Sequence, residues 1–210
     1  AVLSTGGAVS NTGLALHRLG VSVRLLGMIG DDAFGGVVRD LVGRYSEELA
    51  RGLIVTPDAP TSYTLVLSPP GVDRTFLHCR GANDVFSADD VPYGELAGVR
   101  LVHFGYPTVM ERFYADGGAG LETLLRRLRD VGVATSLDMA MPDPATPAGQ
   151  ADWRAILRRV LPLVDVFLPS LDEMLYMLGR PAADATDLGV VAAVADELLA
   201  AGAGVVGLKL

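Results

Sequence analysis

The second half of the chain alternates between short apolar segments and longer helical patterns, which limits the folds open to it. Strands are predicted there over 99–104, 133–137, 164–168 and 205–210. Helices are predicted between or before them over 121–131, 153–161, 171–178 and 188–201. The strands are apolar at consecutive positions, as strands covered by helices on both faces require. This alternation predicts an α/β fold with a mostly parallel sheet.

The first half shows a different order of elements. Helices are predicted over 8–19 and 34–50, with a short strand over 22–27 between them. Three further strands are predicted over 53–56, 61–67 and 74–78, bounded by prolines and by a loop that contains Gly71, Asp73 and Arg74. Because short loops join adjacent strands in this region, we expect them to pair antiparallel. Glycines just past three helical patterns are expected to end those helices, at Gly132, Gly179 and Gly202.

Composition excludes several classes of protein. The 210 residues can bury a full core, and half of them are hydrophobic, so a single domain over 1–210 is expected. A net charge of −8 argues against a nucleic-acid surface, and no apolar run approaches the ~20 residues that span a membrane. Cys79 stands alone and no signal peptide is visible, which favours a reducing, cytoplasmic location. Lys209 is the only lysine, which we interpret as compositional bias.

Two glycine-rich elements begin the chain. The first, with Gly6, Gly7 and Asn11, lies at a predicted helix start, where backbone N–H groups without a nearby Cβ can approach a ligand. Asn11 offers a donor and an acceptor that suit a hydroxylated ligand such as a sugar, although the glycine pair is equally compatible with a flexible turn. The second element runs from Gly27 to Gly35, and either of its two aspartates, Asp31 or Asp32, is suited to capping the helix that begins there.

Polar residues also follow two of the predicted parallel strands. Asp138 ends one strand, at the sheet edge where such folds bind ligands, and it is equally suited to capping the next turn. Ser170 and Glu173 follow another strand in a Ser-x-x-Glu pattern, which is typical of a helix capping box. No phosphate-binding P-loop and no dinucleotide glycine motif occurs in the chain.

The ordered set of motifs resembles the ribokinase family of carbohydrate kinases, the phosphofructokinase-B type. Both glycine elements match that family's Gly-Gly-x-x-x-Asn and Gly-x-x-Gly-x-Asp-x-x-Gly stretches. Further matches follow in the family's order, at Pro60-Thr61, Gly71-Val72-Asp73-Arg74, Gly81-Ala82-Asn83, Leu137-Asp138 and Pro169-Ser170-Leu171-Asp172-Glu173. The resemblance covers nearly the whole chain and implies a ribokinase-like three-layer α/β/α fold with a small β lid within about 53–80.

The resemblance also implies an activity and a set of site residues. The function would be ATP-dependent phosphorylation of a sugar or sugar acid, with Gly6, Gly7 and Asn11 binding the substrate. ATP and Mg²⁺ would be the cofactors, with Ser170, Asp138 and Glu173 near the nucleotide and Glu173 organising the metal through water. The family has Asn where this chain has Ser170. Lids in this family often pair, so a homodimer is expected.

The family's catalytic base lies in a Gly-Ala-Gly-Asp stretch that does not occur in these residues. We therefore expect the base beyond residue 210, a chain truncated at both ends, and no phosphoryl transfer by the 210 residues alone. Two alternatives remain open. One is a nucleoside kinase of the same fold, for which Tyr106 is the obvious stacking residue, and the other is a sugar-binding module without catalysis.

Overall fold

The structure is a computed structural model that describes residues 2–72, 75–182 and 187–210. The chain divides into two compact units, Ala1–Phe86 (unit 1) and Ser87–Leu210 (unit 2). The predicted loop residues Asp73 and Arg74 lie outside the described residues, as does the predicted first residue of the strand over 74–78.

Unit 1 combines helices with two small sheets. Its helices are α1 (Gly7–Arg18), α2 (Ala33–Gly43), α3 (Glu47–Ala50) and α4 (Ala82–Val85). Its strands are β1 (Gly27–Gly30), β2 (Leu53–Thr56), β3 (Tyr63–Leu67) and β4 (Thr75–Cys79). β1 and β2 pair in parallel, with Gly30 opposite Thr56, whereas β3 and β4 form an antiparallel hairpin.

The core of unit 1 forms where α1 and α2 meet the segment before β1. Leu14, Leu25, Val42 and Leu49 are buried together there. Gly13 makes this approach possible, since a Cβ built on it would lie 2.2 Å from a methyl of Leu25. The spacing of apolar residues along α1 and α2 therefore buries one face of each helix, as amphipathic helices require.

Two predictions for unit 1 are wrong in their boundaries. The strand predicted over 22–27 begins at Gly27, because its ladder partner β2 begins only opposite that residue. Residues 21–26 form no regular secondary structure, although Leu25 is buried. The helix predicted over 34–50 is two helices, since the Ser46 hydroxyl accepts a hydrogen bond from the N–H of Glu48 and starts α3.

The predicted pairing of the strand at 53–56 is also wrong, although its boundaries are confirmed. β2 lies parallel to β1 and does not join the antiparallel strands that follow it. The hairpin of β3 and β4 is therefore a two-stranded element, with Leu65 opposite Leu77. Only these two strands of the predicted 53–80 region form an antiparallel sheet in the structure.

Unit 2 contains the parallel sheet that the sequence predicts. Its strands are β5 (Leu101–Phe104), β6 (Ala134–Leu137), β7 (Val166–Phe167) and β8 (Val205–Val206), in the spatial order β5-β6-β7-β8. Its helices are α5 (Glu111–Asp130), α6 (Pro147–Gln150), α7 (Trp153–Val160), α8 (Leu171–Met177) and α9 (Leu188–Ala200). The backbone of α5 is not helical over 115–118, so it consists of two helical segments. All neighbouring strands pair in parallel, which confirms the α/β class.

Large side chains from α5, α7 and the strands fill the core of unit 2. Phe113, Leu137, Trp153 and Phe167 are fully buried, and the Trp153 indole N–H donates to the carbonyl of Ala148 at 2.6 Å. The helix-ending glycines are confirmed, because their φ angles are positive, at 75° for Gly132, 63° for Gly179 and 112° for Gly202. Among the described residues, no helix combines the length and apolar character needed to cross a membrane.

Candidate functional site

In unit 2, charged side chains follow three neighbouring strands at one edge of the sheet. Asp138 comes directly after β6, Ser170 and Glu173 follow β7, and Lys209 follows β8. Because the strands are parallel, their carboxyl ends share the edge where doubly wound sheets bind ligands. The structure thus brings together the three residues for which we predicted a role in cofactor binding, and adds a lysine.

Lys209 is the centre of this group. Its Nζ donates to Oδ1 of Asp138 at 2.7 Å, and the same oxygen accepts the N–H of Met139 at 2.8 Å. Burial alone would lower the pKa of Lys209, but the hydrogen bond and charge of Asp138, with Glu173 and Tyr106, raise it above its usual value. The lysine is therefore a fixed cation, and half of its side chain is exposed to solvent.

The backbone around Lys209 fixes its position. Residues 170 and 209 form a parallel bridge, in which the N–H of Lys209 donates to the carbonyl of Pro169. The N–H of Leu171 donates in turn to the carbonyl of Lys209. A lysine whose backbone is held on both sides by hydrogen bonds, and whose ammonium is held by a carboxylate, loses little freedom when an anion binds it.

Ser170 and Glu173 form the helix capping box that the Ser-x-x-Glu pattern predicts. The N–H of Ser170 donates to Oε2 of Glu173 at 2.7 Å, and the N–H of Glu173 donates to Oγ of Ser170 at 3.3 Å. Both side chains therefore satisfy backbone groups at the start of α8. The Glu173 carboxylate nevertheless acts on the charge of Lys209, so it contributes to the potential at this edge.

His103 lies close to the same group. Its Nδ1 is 2.9 Å from Oγ of Ser136, and its Nε2 is buried without a hydrogen-bond partner among the described residues. Burial lowers the pKa of His103, while the charges of Asp138 and Lys209 act on it in opposite directions. The imidazole is therefore neutral near pH 7, and Lys209 supplies the positive charge at this edge.

The donor set fits a magnesium ion only when the nucleotide brings most of the ligands. Within the described ranges, no three Asp, Glu, His or Cys side chains are grouped as a metal cage. Mg²⁺ in nucleotide sites keeps several waters and uses one or two carboxylates together with phosphate oxygens. Asp138 and Glu173 can meet that smaller requirement, directly or through water.

In unit 1, the amino end of α1 is open to a ligand. Gly6 is its N-cap without a side-chain hydrogen bond, and Gly7 has a φ of +75°, which disfavours any residue with a Cβ. The Asn11 side chain is exposed one turn further along the helix. Free N–H groups and an exposed carboxamide on one helix end are suited to binding hydroxyl groups.

α1 runs antiparallel to the chain that leads into β1. A Cβ built on Gly27 would lie 3.9 Å from a methyl of Val9, and Gly13 meets Leu25 further back along the strand. As the chain runs from Leu25 to Gly27, its contacts on α1 therefore shift from Gly13 towards the amino end of that helix. The glycine pair thus lies on the side of Val9 that is nearer the carboxyl end of β1, and Asn11 lies between the levels of Gly27 and Leu25.

A hydrogen-bonded node joins that carboxyl end to the hairpin. Asp32 caps α2 by accepting the N–H of Gly35 at 2.8 Å, and it also accepts the N–H and hydroxyl of Thr61, each at 2.7 Å. Thr61 Oγ1 accepts the N–H of Gly30 at 2.9 Å. The hydrogen bonds from Thr61, then that from Gly35, hold the pKa of Asp32 below its usual value. The predicted capping role of Asp32 is confirmed.

Sequence reasoning missed Lys209 as a site residue. The signal was present, because the only lysine of the chain lies at the end of the last predicted parallel strand, over 205–210. The count of lysines alone indicates only compositional bias. Thr61 was noted only as part of the motif order, and its contacts depend on pairings that the local sequence does not specify.

Comparisons with known proteins agree with this architecture. The profile of the "pfkB family carbohydrate kinase" matches residues 1–210. Fructokinase-2 of Zea mays is 24% identical over 185 residues, which are 87% of this chain and 54% of that protein. The chain thus spans about half the length of the curated relatives it matches.

Solved structures share the fold. A fructokinase from Xylella fastidiosa with bound ATP superposes with a TM-score of 0.73 at 24% identity, covering 96% of this chain and 60% of that one. An E. coli protein solved in complex with ATP and Mg²⁺ gives a TM-score of 0.62 at 20% identity, covering 92% and 58%. Ribokinase from Giardia lamblia is also similar, so the predicted ribokinase-like fold is confirmed.

Proposed function

Since the chain belongs to the pfkB family of carbohydrate kinases, we propose that the complete gene product transfers a phosphoryl group from Mg-ATP to a hydroxyl of a sugar. The observation that carries the proposal is the fixed cation Lys209 between Asp138 and Glu173 at the carboxyl edge of a parallel sheet. That edge is where anionic ligands bind in folds of this class. The fructokinase that shares the fold was solved with ATP, which supports the same cofactor here.

The residues of unit 2 would act on the phosphates. Lys209 neutralises charge on the nucleotide, and positively charged groups of this kind supply much of the catalysis in phosphoryl transfer. Asp138 and Glu173 would hold Mg²⁺ through water, and Ser170 keeps Glu173 oriented. Mg²⁺, when bound, neutralises the phosphate oxygens.

The residues of unit 1 would act on the sugar. The amino end of α1 presents N–H groups from the Gly6-Gly7 region, and the Asn11 carboxamide can donate to one hydroxyl and accept from another. This arrangement binds a polyol without requiring a charge on it. The Asp32–Thr61 node fixes the point at which the hairpin begins, and we assign the hairpin the role of a lid.

We expect Asn11→Ala to raise KM for the sugar more than about tenfold in the complete gene product, with a small effect on KM for ATP. A tenfold change corresponds to about 1.4 kcal/mol, the size of a lost polar contact. The measurement is the initial rate of ADP release with a panel of sugars and Mg-ATP. Ala15→Ser, an exposed change one turn along α1, is the control and should leave KM within about twofold. An Asn11→Ala enzyme with an unchanged KM would remove Asn11 from the site.

We also propose that two copies of the protein pair through their hairpins. Leu65, Leu67 and Leu77 share one face of the β3–β4 sheet, and they are 54%, 51% and 53% exposed. Three half-exposed leucines on a two-stranded sheet form an apolar surface that a partner would cover. Their position agrees with the homodimer that the family resemblance implies.

Sedimentation velocity tests the dimer. The complete gene product should sediment with twice its chain mass, and Leu77→Asp should convert it to a monomer because the charge would be buried in the interface. Leu188→Asp, at a leucine that is 73% exposed on α9, should leave the dimer intact. A wild-type protein that stays monomeric at micromolar concentration would overturn the pairing.

A further inference from the structure

Tyr176 joins two segments of unit 2 through its hydroxyl. The hydroxyl donates to the carbonyl of Gly149 at 3.0 Å, so it connects α8 to the one-turn helix α6. The neighbouring carbonyl, that of Ala148, accepts the indole N–H of Trp153 on α7. Carbonyls in the last turn of a helix have no partner within that helix, and here the side chains of two other helices supply the donors. These two hydrogen bonds therefore hold α6 in place.

α6 packs directly against the loop that follows Asp138. A Cβ built on Gly149 would lie 2.2 Å from the carbonyl oxygen of Asp143 and 2.5 Å from Cα of Pro144, so the two backbones are in contact. Both of these residues belong to the loop that begins after Asp138, and its first residue, Met139, is 1% exposed. Because packed interiors transmit displacements, a shift of α6 would move this loop as well.

α6 also supports the segments that follow the two neighbouring strands. It packs against the short helix Pro107–Val109, which comes after β5. Towards β7, its partner Tyr176 lies three residues after Glu173, on the same side of α8. The segments that follow β5, β6 and β7 at the carboxyl edge of the sheet therefore share one support.

We propose that Tyr176 is a positioning residue for the metal site, an inference that rests on the proposed function. Its hydroxyl holds the loop after β6 against the helix after β7, and this contact sets the spacing of the Asp138 and Glu173 carboxylates. Mg²⁺ tolerates little departure from its preferred geometry, so a site with only two protein carboxylates depends on that spacing. Groups that orient the ligands of a metal site commonly change its affinity by roughly 10–100-fold.

Tyr176→Phe tests this role in the complete gene product. The substitution removes one oxygen atom, keeps the ring and leaves the carbonyl of Gly149 without its donor. The Mg²⁺ concentration that gives half the maximal rate should rise about fivefold or more, whereas KM for the sugar should change by less than about twofold. A high Mg²⁺ concentration should restore the kcat of the wild type, because the hydroxyl takes no part in the chemical step.

Tyr93→Phe is the matched control. The Tyr93 hydroxyl donates to the carbonyl of Ala88 at 2.8 Å, in the segment that leads into β5 and not at the carboxyl edge of the sheet. Each substitution breaks one partly buried hydrogen bond from a hydroxyl to a carbonyl, so each should lower Tm by roughly 2–4 °C. Only Tyr176→Phe should change the dependence on Mg²⁺. The same Mg²⁺ dependence in both variants would overturn the proposal.

A second measurement needs no turnover. In calorimetric titrations with ATP at a fixed Mg²⁺ concentration and without sugar, Tyr176→Phe should bind about fivefold or more weakly than the wild type. Tyr93→Phe should stay within about twofold of the wild type, and an unchanged affinity in Tyr176→Phe would overturn the positioning role.

The two proposals fail differently. If the wild type phosphorylates a sugar and Tyr176→Phe matches it in both measurements, the positioning role is wrong and the kinase proposal stands. If the wild type phosphorylates no sugar, the kinase proposal is wrong, and the calorimetric comparison still decides the role of Tyr176.

Discussion

Gly35→Ala should lower the free energy of unfolding by about 3 kcal/mol, with a fall in Tm of roughly 6–12 °C. A Cβ at this position would lie 2.2 Å from the carbonyl oxygen of Gly30 and 3.0 Å from Oγ1 of Thr61. Neither can retreat freely, since one belongs to the backbone of β1 and the other is bonded to Asp32. The substitution would therefore push α2 away from the node that fixes the hairpin.

Gly36→Ala is the matched control for this prediction. A Cβ on Gly36 would have nothing within 4 Å, and Ala is a better helix former than Gly by about 1 kcal/mol. The neighbouring substitution should therefore raise Tm slightly, whereas Gly35→Ala should lower it. Thermal unfolding followed by circular dichroism gives both values. Two variants with the same Tm would show that the close packing of Gly35 against β1 is not what requires a glycine there.

Lys209→Met should reduce kcat/KM for ATP about 100-fold or more in the complete gene product, which corresponds to about 2.7 kcal/mol. Methionine keeps the length of the side chain and removes the cation that the structure places against Asp138. The affinity for sugar should change by less than about twofold, since the sugar contacts are assigned to unit 1. Initial rates at varied ATP, together with calorimetric sugar binding, separate these effects.

Loss of the lysine also leaves a carboxylate without its partner, so a second variant separates stability from binding. The Asp138 side chain is only 12% exposed, and Lys209→Met alone should lower Tm because an unpaired, mostly buried charge remains. Adding Asp138→Asn should recover the Tm, but the weak use of ATP should persist. If the double variant recovers both the Tm and the kcat/KM for ATP, Lys209 has no role in nucleotide binding. The same conclusion follows if Lys209→Met has the kcat/KM for ATP of the wild type.

Local patterns predicted the parallel sheet of unit 2 well. Residues 133–137 and 164–168 are apolar at successive positions, and this signal belongs to each strand alone, without reference to its partner. The capping box of Ser170 and Glu173 was likewise predicted from four consecutive residues. The sequence therefore predicts those features that a short segment determines by itself.

Features that depend on distant partners were predicted poorly. The strand at 53–56 has correct boundaries, but its partner is β1, more than twenty residues earlier. The short loop that follows it predicted the next strand along the chain as its partner, which is wrong. The strand predicted over 22–27 satisfies the apolar pattern because Leu25 is buried against helices, not because it has a ladder partner. A buried segment without a partner strand and a paired strand therefore show the same apolar pattern in a sequence.

The candidate site shows the same division. Asp138, Ser170 and Glu173 were predicted as nucleotide-site residues, and the structure places them with Lys209 at one sheet edge, although their roles toward ATP stay predictions. Lys209 was missed because its importance depends on a carboxylate 71 positions earlier. Gly6, Gly7 and Asn11 remain predictions for the sugar site, supported by the open end of α1.

Phosphorus NMR of the complete gene product with Mg-ATP and fructose tests the central claim most directly. The account predicts a new phosphomonoester signal that grows as the γ-phosphate signal of ATP declines, and that requires both the sugar and Lys209. Decline of ATP with only inorganic phosphate as product, or no decline with any sugar of a neutral and acidic panel, would contradict it.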